Sequence, residues 1–566
     1  MSPEDLQRKI SLAQSLGSDS GTPTQLTLTS IRELVELQVT RYPDKEFLIY
    51  IEDDGKRTLL SYREFSEVVH RTAHLLIAHG ISRGDRIATV SFNHWETVVQ
   101  YFAAFLIGAV VVPLNPGEDD KRLQYILENS QSKLAFVRQP YLGRIIGIQS
   151  RLKQPFEIIQ TGSKVHETMA YYGDAISTFP VVAPLTSIPT LADEALIVYT
   201  SGTTGNPKGV VLNQRNLLMD GKAIGEWHGM TPDQRMMCVL PIHHVNGIIV
   251  TLLTPLYYGG SVILNQKFQT GTFFPIIAAE RVSVVSVVPT LLQFLLHGDV
   301  DTARLDLGSL RHIICGAGPL TVELAMKIED FFRIPIVHGY GLSETTCYSC
   351  FLPVDLSPIE HRTWLSAYGF PSIGVPLPVN EMEIHDTDGL AVDEEGRGEI
   401  VVRGNNVMAG YFHNPEANEH AFQHGWFRSG DEGFYKTDNR GRRFFFITGR
   451  IKELIIRGGV NISPLEIDEV LMQIPGVRSG IAVGFENDWY GEEVGALVVL
   501  KPDVRVEADS IITACREHLS FAKSPKAIVF GSEVPVTSTG KYQRNKCKHL
   551  FAEWKSVQFN EKRKIA

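Results

Sequence analysis

The chain has 566 residues, 43% hydrophobic and 21% charged, with a formal net charge of −10. That length exceeds what one hydrophobic core holds, so two or more domains are expected. The acidic balance argues against a broad nucleic-acid face, which needs a basic stripe, but leaves room for an anionic small ligand in a cleft lined by local Lys and Arg.

The amino-terminal stretch MSPEDLQRKISLAQSLGSDSG carries charges where a signal peptide needs an apolar run. The longest apolar run, YFAAFLIGAVVVPL from Tyr101 to Leu114, is shorter than the roughly 20 residues of a spanning helix and ends near a proline. It predicts a buried helix running into a buried strand. From about Lys45 to Tyr340, short β-branched runs (RIATVSF, ALIVYT, SVILN, RHIICG) alternate with helical stretches such as SYREFSEVVHRTAHLLIAHG. Such alternation predicts layered α/β structure with largely parallel sheets. From about residue 371 to 449 the texture changes to short strands and turns (NEMEIHD, RGEIVVRG, RRFFFITG), predicting a small β-rich subdomain. Residues 450–566 read as a separate α+β domain.

The six cysteines are widely scattered and predict free thiols in a reducing, cytoplasmic setting. Cys347 and Cys350 form a C-x-x-C, for which two buried thiols are the favoured reading over a redox pair. No second ligand pair with zinc spacing accompanies them.

The stretch YTSGTTGNPKGV, Tyr199 to Val210, follows an apparent buried strand. Small and hydroxylated residues pack little apolar area but expose backbone N–H groups and hydroxyls, and Lys208 adds an ammonium, so the run suits phosphate. It is not a Walker A loop: Lys208 comes three residues after Gly205, behind Pro207, and is followed by Gly209 in place of Ser or Thr.

That string resembles the phosphate-binding signature of the adenylate-forming superfamily, which includes acyl-CoA synthetases, peptide-synthetase adenylation domains and luciferases. Further motifs similar to that family follow in order: LPIHHVNG, VVPT, GAGPL, GYGLSETT, SIGVPLP, GWFRSGD, GRIKELIIRGGVNISPLEID and VPVTSTGKYQR. The resemblance covers nearly the whole chain. It implies a large α/β amino-terminal domain (1–449) of two layered sheets and a β-rich subdomain, followed by a smaller mobile α+β domain that turns on a hinge at Lys452. It also implies ATP, Mg²⁺ and CoA as reactants with a carboxylic acid. A carboxylate is a poor acyl donor, and coupling it to AMP supplies a leaving group. The site must then hold two anions together and neutralise charge at phosphate.

By the resemblance, Thr200, Ser201, Gly202, Thr203, Thr204 and Lys208 hold the β- and γ-phosphates, and Ser343 can reach a phosphate. Glu344 ligates Mg²⁺, a cation that takes carboxylate and phosphate oxygens. Gly316, Ala317 and Gly318 line the adenine pocket, where Tyr340 stacks beside Gly341. Asp431 accepts from the ribose hydroxyls with Arg450 assisting, and Lys541 bridges carboxylate and phosphates. His244 closes the acyl pocket, while His243 packs; adjacent side chains on one strand would point to opposite faces. Gly458 and Gly459 let pantetheine pass the backbone, although a plain hairpin turn explains them almost as well. RGGVNIS favours CoA as acceptor, with a carrier-protein phosphopantetheine as the alternative. A homodimer is compatible with the sequence. The acid is not readable, and IHHVNG lacks the Asp that amino-acid-activating domains commonly carry there.

Overall fold

Strands buried on both faces build the frame that carries the site. In the computed structural model, residues 2–17, 25–184, 188–200, 206–298, 301–536 and 542–560 are described. One nine-stranded sheet contains the strands Arg235–Cys238, Ser261–Asn265, Val284–Val287, His312–Cys315 and Ile336–Tyr340, which pair in parallel. A seven-stranded sheet places Gly410–Tyr411, Lys208–Asn213, Glu194–Thr200 and Val110–Leu114 side by side. Every residue of Val110–Leu114 is buried, as an all-apolar central strand requires. The preceding helix Trp95–Ile107 is buried from Thr97 onward and stops at Gly108, whose φ of +73° makes the left-handed cap that glycine accepts without penalty. The apolar run is thus the predicted buried helix and strand.

The strands Asn380–His385, Gly398–Gly404, Phe427–Thr437 and Arg443–Arg450 form a four-stranded antiparallel sheet. The short turn Ile451–Glu453, with Lys452 exposed, leads from its last strand to a five-stranded carboxy-terminal sheet. That sheet has its own core, in which Ile455, Ile467, Leu471, Val494 and Ile511 are buried. The chain is therefore a large α/β domain with a smaller α+β one. No helix among the described residues is long and apolar enough to cross a membrane.

The two domains meet through helix Pro464–Gln473, which starts at the N-cap Ser463 with proline in its first turn. Glu469 on this helix accepts hydrogen bonds from the backbone N–H groups of Val322 at 3.1 Å and Glu323 at 3.3 Å. Those are the first residues of helix Val322–Phe332, whose free N–H groups and positive dipole end favour a carboxylate. Burial nevertheless pushes the Glu469 carboxyl up to about 7, against the two backbone bonds, while the Glu323 charge adds to the rise.

Candidate functional site

A cavity of about 180 Å³ lies between the two domains. Its amino-terminal wall includes Ala317, Gly318, Tyr340, Gly341, Asp431 and Arg450; Pro464, Leu465, Tyr542 and Arg544 stand on the other side. Sequence segments far apart in the chain thus converge on one cleft.

The turn after strand His312–Cys315 holds Ala317 at φ +62°, in the left-handed region that a side chain occupies at a cost of about 1–2 kcal/mol. Strain of this kind persists where the surroundings over-determine the backbone. Gly316 does not line the cavity. A Cβ there would stand 2.6 Å from the Tyr348 hydroxyl and 2.7 Å from the Gly339 carbonyl, so its smallness serves close packing behind the turn.

Tyr340, at the end of strand Ile336–Tyr340, donates its hydroxyl to Asp431 Oδ2 at 2.7 Å. The other carboxylate oxygen meets Arg450 Nε at 2.8 Å. Asp431 is buried in the middle of strand Phe427–Thr437 and pairs in register with Arg450 on the next strand. It is therefore a strand residue. Burial, and then the neighbouring Asp431 charge, holds the Tyr340 phenol well above its ordinary range, so it stays a donor. Each Asp431 oxygen retains a lone pair for a ligand hydroxyl.

Thr200 and Lys208 are a register pair at the open end of the antiparallel strands Glu194–Thr200 and Lys208–Asn213, and Thr200 Oγ1 donates to the Lys208 carbonyl at 3.4 Å. The phosphate-loop candidates Ser201, Gly202, Thr203 and Thr204 lie outside the described residues. The Gly-rich stretch joins two strands, so a helix does not immediately follow it. Glu344 and Ser343 stand in a single 3₁₀ turn, and Glu344 Oε1 accepts from the Tyr411 hydroxyl at 2.9 Å. No described residue hydrogen-bonds Glu344 Oε2. One carboxylate near strand Lys208–Asn213 would suit Mg²⁺, which is usually completed by phosphate oxygens and water. Among the described residues no cluster of three His, Cys, Asp or Glu forms a cage of its own.

His243 and His244 correct the strand geometry expected for them. They sit in a turn, where the His244 N–H bonds the Pro241 carbonyl, and their rings touch with centroids 4.5 Å apart. His243 is buried and held neutral, chiefly by desolvation. The helix of that segment begins only after them. Cys347 and Cys350 are buried free thiols pushed up by burial, which leaves no low-pKa redox pair.

Lys541 lies outside the described residues, but the chain resumes against the cavity at Tyr542. Arg544 anchors it there, donating to Asp468 Oδ1 at 3.0 Å and to the Ala482 carbonyl at 2.8 Å. Gly458 and Gly459 are not brought to the cleft. They form the tight turn between Ile455–Arg457 and Val460–Ile462, with φ of +56° and +83°, the paired left-handed geometry of a two-residue hairpin. Sequence reasoning missed Tyr411, Glu469, Tyr542 and Arg544. Tyr542 and Arg544 lie within the motif VPVTSTGKYQR, and Tyr411 left a trace in GYFHNPEAN ahead of a helix capped by Asn414.

The family model described as AMP-binding enzyme matches residues 35–412, and that of the AMP-binding enzyme C-terminal domain matches residues 466–541. The chain is 31% identical over 518 residues to the sulfoacetate–CoA ligase of Cupriavidus necator, covering 91% of this chain and 97% of that one. It is 31% identical to the oxalate–CoA ligase of Arabidopsis thaliana, covering 92% and 98%. Among solved structures, ATP-bound MatB from Rhodopseudomonas palustris superposes with a TM-score of 0.81 at 27% identity, covering 93% of this chain and 99% of that one. Apo MatB gives 0.72 at 26% identity, over 93% and 99%.

Proposed function

We propose, for a chain that belongs to the AMP-binding enzyme family and is an AMP-forming acyl-CoA synthetase, a two-step reaction on a carboxylic acid. In the first step the acid's carboxylate attacks the α-phosphorus of ATP, the bond to the β-phosphate oxygen breaks, and pyrophosphate leaves. In the second, the CoA thiol loses its proton and its sulfur attacks the acyl carbon of the mixed anhydride, expelling AMP.

Tyr340 and the 317–318 backbone receive the adenine, and Asp431, held by Arg450, accepts the ribose hydroxyls. Thr200 and Lys208 carry the loop 201–205 that holds the β- and γ-phosphates. Glu344, whose Oε1 is held by Tyr411, would hold Mg²⁺, which would neutralise phosphate charge when bound. Lys541 approaches from the segment ending at Tyr542 and steadies carboxylate against phosphate. His244 borders the acyl group. Lys452 is the pivot on which the carboxy-terminal residues after it turn, and Gly458 and Gly459 then face the thiol's path. The higher superposition on ATP-bound than on apo MatB supports reading the present domain arrangement as the adenylating one.

The observation that carries this reading is the Tyr340–Asp431–Arg450 network, which opens on a cavity whose opposite wall is Tyr542 and helix Pro464–Gln473. The test is pyrophosphate release from ATP and Mg²⁺ over a panel of acids (oxalate, sulfoacetate, short and medium fatty acids, benzoates, cinnamates), each with and without CoA. Release with one chemical group, sustained only with CoA, is the expected result. Sustained release only with a phosphopantetheinyl carrier protein would replace CoA as acceptor, and release with no acid would remove the ligase reading.

A further inference from the structure

Tyr411 stands where two pieces of the site, distant in sequence, come together. Its strand Gly410–Tyr411 pairs antiparallel with Lys208–Asn213, opposing Tyr411 to Val210, and the Phe412 N–H bonds the Gly209 carbonyl. Asn418 clasps the Tyr411 backbone from the other side: its Oδ1 accepts from the Tyr411 N–H at 2.6 Å and its Nδ2 donates to the Tyr411 carbonyl at 3.1 Å. The backbone is thereby fixed at both polar groups. The buried side chain then makes two directed contacts. Its hydroxyl donates to Glu344 Oε1 at 2.9 Å, and its ring lies under the Lys208 ammonium, 4.7 Å from the centroid.

We propose that Tyr411 is a positioning residue that couples the phosphate-binding loop to the cation site: its hydroxyl orients the Glu344 carboxylate, and its ring face holds the Lys208 ammonium ready for phosphate. The inference rests on the ligase reading above. A carboxylate that holds one edge on a fixed donor presents its other oxygen in a set direction, and hydrogen bonds behind a metal ligand govern affinity in this way. The ring attracts the ammonium weakly, through its quadrupole. Phosphate oxygens compete easily for it, and until they arrive Lys208 is kept from pairing with Glu344, which would silence both. A phenol is protonated near neutral pH and is therefore a donor to the carboxylate.

A packing role alone would make the hydroxyl dispensable, and Tyr411→Phe separates the two. Binding of ATP is followed by titration calorimetry at stepped free Mg²⁺, with no acid or CoA present. The Mg²⁺ concentration giving half-maximal ATP binding rises about tenfold in Tyr411→Phe, with an unchanged melting temperature. In Tyr411→Leu, which also removes the ring, ATP binds several-fold more weakly even at saturating Mg²⁺. The double variant Tyr411→Phe/Glu344→Gln needs no more Mg²⁺ than Glu344→Gln alone, because the hydroxyl acts through that carboxylate. Wild-type Mg²⁺ dependence in Tyr411→Phe, or effects of the two substitutions that multiply, overturns the proposal. So does a loss of melting temperature with no change in Mg²⁺ dependence. Failure of the unaltered protein to bind ATP with Mg²⁺ at all overturns the ligase reading itself, and the inference with it.

Discussion

The two faces of the carboxy-terminal domain are built from opposite materials. The face turned to the cleft sets buried charged contacts among Pro464, Leu465 and Met472: Glu469 caps a helix of the other domain, and Arg544 is locked on Asp468 beside the cavity. The hairpin that carries Gly458 and Gly459 exposes Ile456 by 53% and Val460 by 55%, with Trp489 beside it at 58%. A domain that kept one position would bury the apolar side chains and leave the charges in water. The inverted choice fits a domain that uses each face in turn, with polar contacts that exchange readily and apolar ones that await cover. Under the proposed two-step reaction, the cleft seen here would serve one half of the chemistry.

The largest way to break the comparison is through Lys541, the residue before Tyr542 of the cavity wall. Lys541→Ala lowers pyrophosphate release by about a hundredfold or more, the scale for losing one charge-stabilising donor. It leaves thioester formation from supplied acyl-AMP near normal. Equal loss in both assays would mean that the two faces do not divide the steps. Asp431→Asn removes the carboxylate charge paired with Arg450 and weakens acceptance of the ribose hydroxyls. The ATP concentration for half-maximal rate rises about tenfold; an unchanged value would move the ribose elsewhere.

The smallest effect concerns the contact that holds the domains together. Burial in the docked arrangement pushes the Glu469 carboxyl up to about 7, above the ordinary carboxylate value of 4.5. The docked form therefore binds the proton more tightly, and docking weakens as pH rises from that ordinary value through 7. Donor and acceptor dyes on the two domains should report a several-fold shift away from the docked arrangement between pH 6 and pH 8. Glu469→Gln, neutral and still an acceptor, should make the profile flat. A profile equally steep in the variant would assign the pH dependence to another group.

Much of this site was legible in the sequence, because its chemistry sits in contiguous strings. Tyr340, Asp431 and Arg450 each lie in a motif, and the structure brings all three to one cavity wall. What the sequence hid was tertiary. Tyr411 became visible only when its strand was seen beside Lys208–Asn213, a pairing that no local period encodes. Glu469 lies among several acids on an amphipathic helix, and only the docked partner distinguishes it from Glu466, which pairs with Lys523. His243 and His244 were misread in geometry because a Pro-initiated turn replaced the expected strand. Gly316 was assigned to the pocket lining, whereas its lost side chain makes room for Tyr348.

The hairpin offers the most direct measurement. A Cβ added at Gly459 meets nothing within 4 Å, so in the present arrangement Gly459→Leu suffers only the cost of its φ of +83°. That backbone penalty is about 1–2 kcal/mol, and it leaves the cleft untouched. Both half-reactions would be timed separately in this variant: pyrophosphate release from ATP and acid, and AMP release from supplied acyl-AMP and CoA. The account predicts near-normal pyrophosphate release and a tenfold or greater loss in the CoA step, because the hairpin then faces the thiol's path. Loss of pyrophosphate release with an intact CoA step would contradict it and place the acceptor's route on another face.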